Sequence, residues 1–213
     1  MRSKARMMTV SYTHLDVYKR QAVFHGKQYA FITLAAALLS CVPFFLSFER
    51  RAQNSTRLIL IAVLTALSVA GRLLFYAVPG FKPVTAMVVI TALYFGGEAG
   101  FMTGALTAVL SNFYFGQGPW TPFQMFTWGL IGLFAGLLSE PLKKSRIFLC
   151  LYGIAAGVLF SMLMDIWTVL WWDGTFQLTR YLAAVASSLP VMAEYAVSNV
   201  IFLLILTLSL IHI

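Results

Sequence analysis

The sequence predicts an all-α protein that crosses the membrane several times, and three observations support this prediction. Hydrophobic residues make up 60% of the chain and charged residues only 10%, whereas a soluble domain is about half apolar and a quarter charged. Long apolar segments recur along the chain, and short loops containing Pro, Gly, Trp or basic residues separate them. Because lipid offers no partner for backbone polar groups, such segments are expected to be helices.

Seven apolar segments are candidate helices, and a spanning helix needs about 20 residues. They lie at 29–47, 58–78, 84–95, 99–115, 121–138, 147–170 and 183–207. The third segment is short, because Pro79-Gly80-Phe81-Lys82-Pro83 breaks the helix before it and Gly96-Gly97 follows it. We expect this segment to cross the membrane only with tilt or partial unwinding.

The two ends of the chain have a coding pattern unlike the rest. VSYTHLDVYKRQ at 10–21 back-translates to a nearly palindromic DNA sequence, and LSLIHI at 208–213 back-translates to half of it. This half-palindrome resembles the mosaic end of transposase-based sequencing libraries, so residues 1–21 and 208–213 are predicted to be adaptor scars. A natural basic arm is the alternative. Without both ends the net charge falls from +8 to +4, and nucleic-acid binding loses its main support.

Basic residues cluster in two loops that are separated by four predicted crossings. By the positive-inside rule both loops are predicted to be cytoplasmic. They contain Arg50, Arg51 and Arg57 before the second segment, and Lys143, Lys144 and Arg146 after the fifth. The loops near 79–83, 116–122 and 171–182 are then expected outside.

Polar side chains within apolar segments predict a binding site, since they are costly in lipid. Four of six such residues fall in the predicted outer half, beneath loops that carry tryptophans, and this is the usual composition of a small-molecule site. The candidate substrate-binding residues are Arg72, Lys82, Asn112, Trp120, Gln124, Asp165, Trp171, Trp172, Arg180 and Glu194. Alternatively, Arg72 snorkels or pairs structurally, the tryptophans form an interfacial belt, and the amides bridge helices.

Catalytic and metal-binding motifs are not found in the sequence. It lacks HExxH, GxSxG and GxxxxGK, and Cys41 and Cys150 lie in apolar runs without metal-ligand spacing. We therefore predict no catalytic residue, no metal site and no cofactor. A polytopic membrane enzyme and a secondary transporter stay open as alternatives, although no inverted repeat is evident.

A stripe of small residues runs along the second segment. Ala62, Ala66 and Ala70 repeat every four residues and share one helix face, which would allow another helix backbone to approach closely. Similar glycine repeats, at Gly100-Gly104-Ala108, Gly132-Gly136 and Gly153-Gly157, are expected to serve packing within the bundle.

The run from Arg57 to Leu138 resembles the substrate-binding (S) components of energy-coupling factor (ECF) vitamin transporters. The motifs that carry the resemblance are AVPGFKPV, LYFGGEAGFMTGAL and SNFYFGQGPWTPFQM. It implies a six-helix domain over 57–207, preceded by an additional transmembrane helix and cytoplasmic linker over 22–56. It also implies a protein of the bacterial or archaeal cell membrane that binds a vitamin from outside and is not itself an enzyme.

The resemblance further implies partners and a class of substrate. The face formed by Ala62, Ala66 and Ala70 would dock onto a membrane coupling subunit driven by two ATPase subunits. Among substrates, the KPV and GQGPWTP motifs look most like those of S components for corrinoids such as cobalamin, and loop tryptophans could pack against a large macrocycle. A thiamine-type vitamin or pyrimidine precursor is the alternative, stacked on aromatic rings near Asp165 or Glu194.

Overall fold

A computed structural model of the protein describes residues 28–50 and 55–211. The predicted adaptor segment 1–21 lies outside the described residues. Within them the structure consists of eight α-helices. These are α1 (Gln28–Arg50), α2 (Ser55–Leu74), α3 (Val84–Phe95), α4 (Gly97–Phe115), α5 (Thr121–Leu137), α6 (Ser139–Lys144), α7 (Arg146–Asp173) and α8 (Leu178–Ile211).

The helices confirm the predicted class, an all-α polytopic membrane protein. In the described part of the chain, three helices are long and apolar enough to cross a membrane: α2, α7 and residues Leu178–Thr207 of α8. Large apolar side chains such as Leu67, Ile147 and Leu182 are exposed on the outside of the bundle. Such side chains would be costly in water but are favourable against lipid. The additional helix predicted at 29–47 corresponds to α1, whose apolar part, Leu34–Pro43, is shorter than a full span.

Two helix boundaries differ clearly from those predicted, and one short helix is additional. Helix α2 ends at Leu74, and its chain continues in turns up to Pro79. Helix α8 begins at Leu178 and not at 183. The sequence did not indicate this first turn because it contains the polar residues Thr179 and Arg180 and is therefore not an apolar segment. The short helix α6 occupies the basic loop, where no helix was predicted.

The short helix α3 forms the centre of the bundle. Its residues Val84–Leu93 are all buried, and α2, α4, α5 and α8 pack around it. A helix that is apolar on every side and only 12 residues long suits a protein interior better than a lipid boundary. It is unbroken up to Gly96, whose φ of 89° ends it. Partial unwinding is therefore not observed in α3.

Small residues bring two helix pairs into close contact. Helices α4 and α5 touch through Gly100 and Gly132, and a Cβ added to Gly104 would lie 2.6 Å from the Trp128 carbonyl oxygen. Helices α7 and α8 touch in the same way, because a Cβ on Gly157 would lie 2.8 Å from the Ala196 nitrogen. The glycine repeats thus serve packing within the bundle, as expected.

Helix α2 has two faces of different character. Ile61, Thr65, Ser68 and Arg72 are buried and face the bundle. Ala62, Ala66 and Ala70 lie on the other side and are exposed. The small-residue stripe of α2 is therefore not used for packing within the described residues.

Candidate ligand-binding site

A cavity of about 50 Å³ lies among α2, α3, α5, α7 and α8, next to the loop at 79–83. Its lining combines two cations, polar side chains and aromatic rings. The lining residues are Arg72, Lys82, Val84, Thr85, Gln124, Trp128, Gly157, Phe160, Tyr195 and Asn199. A cavity of this size has room for only a few water molecules.

Arg72 is held at the cavity by buried polar partners from α4. Its guanidinium donates hydrogen bonds to the Ser111 hydroxyl and, at 2.9 Å, to Asn112 Oδ1. The amide of Asn112 in turn donates to Gln124 Oε1 at 2.7 Å and to Thr121 Oγ1 at 2.9 Å. Because Asn112 is only 1% exposed, this network fixes Arg72 and Gln124 relative to each other.

The aromatic ring of Phe115 lies near both cations. The Arg72 guanidinium carbon is 4.5 Å from its centroid and Lys82 Nζ is 5.8 Å from it, both within cation–π range. Lys82 belongs to the loop after α2. Burial, and then the positive charge of Arg72, lower the pKa of its amine. Neither cation has an acidic partner within salt-bridge distance among the described residues, so both can serve acceptor groups of a ligand.

Three aromatic rings from different helices form a continuous wall of the cavity. Trp128 and Phe160 are stacked with centroids 5.0 Å apart. Tyr195 meets Phe160 edge to face at 5.3 Å. Arg72 lies over the other end of this wall, 5.1 Å from the Trp128 ring. The wall offers flat apolar surface next to hydrogen-bond donors, a combination that suits a ligand with a conjugated ring and polar edges.

The loop at 79–83 is attached to α8 beside the cavity. The Lys82 N–H donates to Ser198 Oγ at 2.9 Å, and the Ser198 hydroxyl donates to the Lys82 carbonyl at 3.2 Å. Phe81 packs on Phe202 with centroids 4.9 Å apart. Gly80 has a φ of 68°, and a Cβ at this position would lie 2.7 Å from Glu194 Cβ. The turn therefore both needs a left-handed residue and leaves no room for a side chain.

The structure brings some predicted site residues together and places others elsewhere. Arg72, Lys82 and Gln124 line the cavity, and Asn112 supports it. Glu194 is exposed but lies against the Gly80 turn.

The remaining predicted residues do not line the cavity. Asp165 accepts a hydrogen bond from Ser188 at 2.6 Å. Arg180 lies 3.7 Å from the Asp173 carboxylate, and Trp171 packs on Trp167 with centroids 5.1 Å apart. Trp120 and Trp172 are 38% and 76% exposed.

Several residues of the site were not predicted from the sequence. The aromatic wall, Trp128, Phe160 and Tyr195, consists of ordinary apolar residues of membrane segments and gives no separate sequence signal. Two spacings could have indicated part of it. Trp128 follows Gln124 by four residues and so shares its helix face, and Asn199 follows Tyr195 in the same way.

A family model described as "ECF-type riboflavin transporter, S component" matches residues 52–213. No curated protein and no solved structure matches the chain significantly. ECF S components bind a small vitamin and pair with a membrane coupling subunit and ATPases. The match covers more than half of the chain, so this multi-pass membrane protein belongs to the family of ECF-type riboflavin transporter S components and is a transporter component, not an enzyme.

Proposed function

We propose that the chain captures a vitamin in the cavity at Arg72 and delivers it inward through an ECF transporter complex. The observation that carries this proposal is the pairing of the buried Arg72 network with the aromatic wall of Trp128, Phe160 and Tyr195. The cavity adjoins the loop at 79–83, which the distribution of basic residues predicts to be outside. Entry from outside is therefore the favoured direction.

Riboflavin is the first candidate substrate, ahead of the corrinoid expected from the loop motifs. The family description names riboflavin, and the chemistry of the site agrees with a flavin. A flavin has a flat conjugated ring that could stack on the aromatic wall. Its carbonyl oxygens and ring nitrogens could accept hydrogen bonds from Arg72 and Lys82.

The cavity must enlarge to admit any vitamin. Sites for small molecules usually measure about 300 to 1,000 Å³, well above the 50 Å³ of this cavity. The loops at 79–83 and 116–120 are the segments that we expect to move. Each loop contains a glycine with positive φ: Gly80 in the first and Gly116 in the second.

A corrinoid is the second candidate because of the exposed tryptophans. Trp120 and Trp172 present apolar ring surface beyond the cavity, where a macrocycle too large for the cavity could rest. A thiamine-type vitamin would need an acidic partner for its cation. Asp165 is already bonded to Ser188 away from the cavity, which leaves Glu194 as the nearer carboxylate.

Docking onto the coupling subunit is proposed for the face formed by Ala62, Ala66 and Ala70. These side chains are exposed, and small residues allow two helix backbones to approach closely. Two ATPase subunits would drive the complex, in a bacterial or archaeal cell membrane.

Native mass spectrometry combined with visible absorbance tests the proposed substrate. The protein would be purified in mild detergent from cells supplied with mixed vitamins. A bound mass of riboflavin with flavin absorption would support the first candidate, and a corrinoid mass and spectrum would support the second. Absence of a bound vitamin, followed by no binding across a vitamin panel, would contradict the proposal.

A matched pair of variants then locates the site. R72K keeps the charge but loses the forked donor geometry that serves Ser111 and Asn112. R57K makes the same change at the other end of α2, where Arg57 donates to the Phe95 carbonyl. We expect at least tenfold weaker vitamin binding in R72K and unchanged binding in R57K. Equal affinities in both variants would move the site away from Arg72.

A further inference from the structure

A second cavity, of about 260 Å³, lies near the opposite end of the bundle. It is formed by the ends of α3 and α8, the short helix α6 and the start of α7. About half of its lining residues are basic or polar, and the others are apolar or aromatic. The lining residues are Leu93, Tyr94, Leu142, Lys143, Lys144, Arg146, Leu149, Leu204 and Thr207.

The three cations of this cavity have little negative charge near them. Lys143 Nζ lies 5.7 Å from the centroid of the Tyr94 ring. Lys144 pairs with Glu140 at 3.8 Å, but both side chains are about three-quarters exposed, and such a pair contributes little. No salt bridge of Arg146 is found among the described residues. No acidic side chain lines the cavity, so its field attracts anions.

Large apolar side chains adjacent in sequence to the lining are exposed on the surface of the bundle. Leu142 and Leu149 are buried at the cavity wall, whereas Ile147 and Phe148, on the first turn of α7, are 73% and 58% exposed. A ligand that fills this cavity would thus meet cations on one side and hydrocarbon on the other. This arrangement suits an amphiphilic anion better than a free ion, which would leave the apolar wall unused.

We propose that this cavity binds the phosphate headgroup of an anionic phospholipid, with Lys143, Lys144 and Arg146 as the cationic partners. A guanidinium and two ammonium groups can hold a phosphodiester through charge-assisted hydrogen bonds. The acyl chains would lie along Leu149 and the exposed side chains of α7. The basic loop is predicted to be cytoplasmic, so the lipid would come from the inner leaflet, which is rich in anionic lipids.

Native mass spectrometry of the delipidated full chain, titrated with defined lipids, tests this proposal. Phosphatidylglycerol is the anionic probe, phosphatidylcholine the zwitterionic control and inorganic phosphate the free-ion control. We expect phosphatidylglycerol to bind at least tenfold more tightly than phosphatidylcholine. Equal binding of the two lipids would overturn the proposal. Competition by inorganic phosphate at the concentration of the lipid would also overturn it, because the site would then be one for free phosphate.

Variants test where on the protein the lipid binds. Loss of each cation should weaken phosphatidylglycerol binding about fivefold, so K143Q/R146Q should lose about 25-fold. R57Q removes a cation outside this cavity and should change binding less than twofold. Equal losses in both variants, with unfolding temperatures close to wild type, would contradict the site. R146E provides a second variant should the double variant fold poorly; it also changes the charge by two units, so a comparable loss of about 25-fold is expected. Vitamin binding is measured on the same samples, and its retention separates this proposal from that of the substrate site.

Discussion

The guanidinium of Arg72 donates a hydrogen bond of 2.9 Å to Asn112 Oδ1, joining α2 to α4 beside the cavity near the loop at 79–83. The side-chain amide of Asn112 in turn donates a hydrogen bond to Gln124 of α5. One buried amide therefore orients two polar groups of the cavity. This relationship makes Asn112 a positioning residue, since its own side chain is almost entirely enclosed.

Replacing Asn112 with Ala should destabilise the protein. The change would remove one of the two buried acceptors of Arg72 and the buried donor to Gln124 Oε1, and an unpaired buried polar group costs about 1–3 kcal/mol. Thermal unfolding in detergent would measure the effect. S187A is the control, because Ser187 is exposed and bonds only to its own helix, at the Ala184 carbonyl. A fall in unfolding temperature no larger than that of S187A would show that the network contributes nothing.

Replacing Ser198 with Ala should speed the release of bound vitamin. Ser198 is fully buried and makes both hydrogen bonds that attach Lys82 to α8, so its loss should free the loop at 79–83. We expect about a fivefold faster dissociation rate, equivalent to about 1 kcal/mol. Stopped-flow flavin fluorescence would record it if riboflavin is the ligand. An unchanged rate would mean that this loop does not limit release.

Replacing Ala66 with Leu should abolish transport and leave vitamin binding unchanged. The larger side chain would keep a docking helix from approaching the small-residue face. Uptake into proteoliposomes containing the whole ECF complex, together with binding to the isolated chain, provides the two measurements. L67W adds bulk at a neighbouring exposed position outside that face and should retain transport. Normal uptake by A66L would exclude this face as the docking surface.

Lys82 should give the protein a distinctive dependence of stability on pH. Its pKa in the folded state is lowered by burial and by Arg72, so the unfolded chain binds the proton more tightly. Stability should therefore rise as the pH passes from the lowered pKa towards the ordinary value of about 10.4. The K82M variant lacks the titrating amine and therefore lacks this pH-dependent contribution to stability. The difference in unfolding temperature between wild type and K82M should grow in favour of wild type as the pH rises towards the ordinary pKa of lysine, about 10.4, and a constant difference would contradict the lowered pKa.

The sequence alone was sufficient to predict the class of protein and the depth at which its polar groups lie along their helices. Sixty per cent apolar residues require a lipid or protein environment around nearly every helix. The constant rise of an α-helix places Arg72, Asn112 and Gln124 at similar depth. These three residues do meet in the structure.

Only the tertiary structure decided which helix faces meet. Asp165 was expected to join the same pocket, but the rotation of α7 directs it towards Ser188 of α8. The same packing brings Phe160 beside Trp128. In membrane segments, lipid-facing and bundle-facing residues are both apolar, so hydrophobicity does not distinguish the faces. Close contacts at small residues such as Gly104 and Gly157 set the rotation of these helices. The residues that make these contacts are far apart in the sequence, so the sequence pattern of one helix does not reveal them.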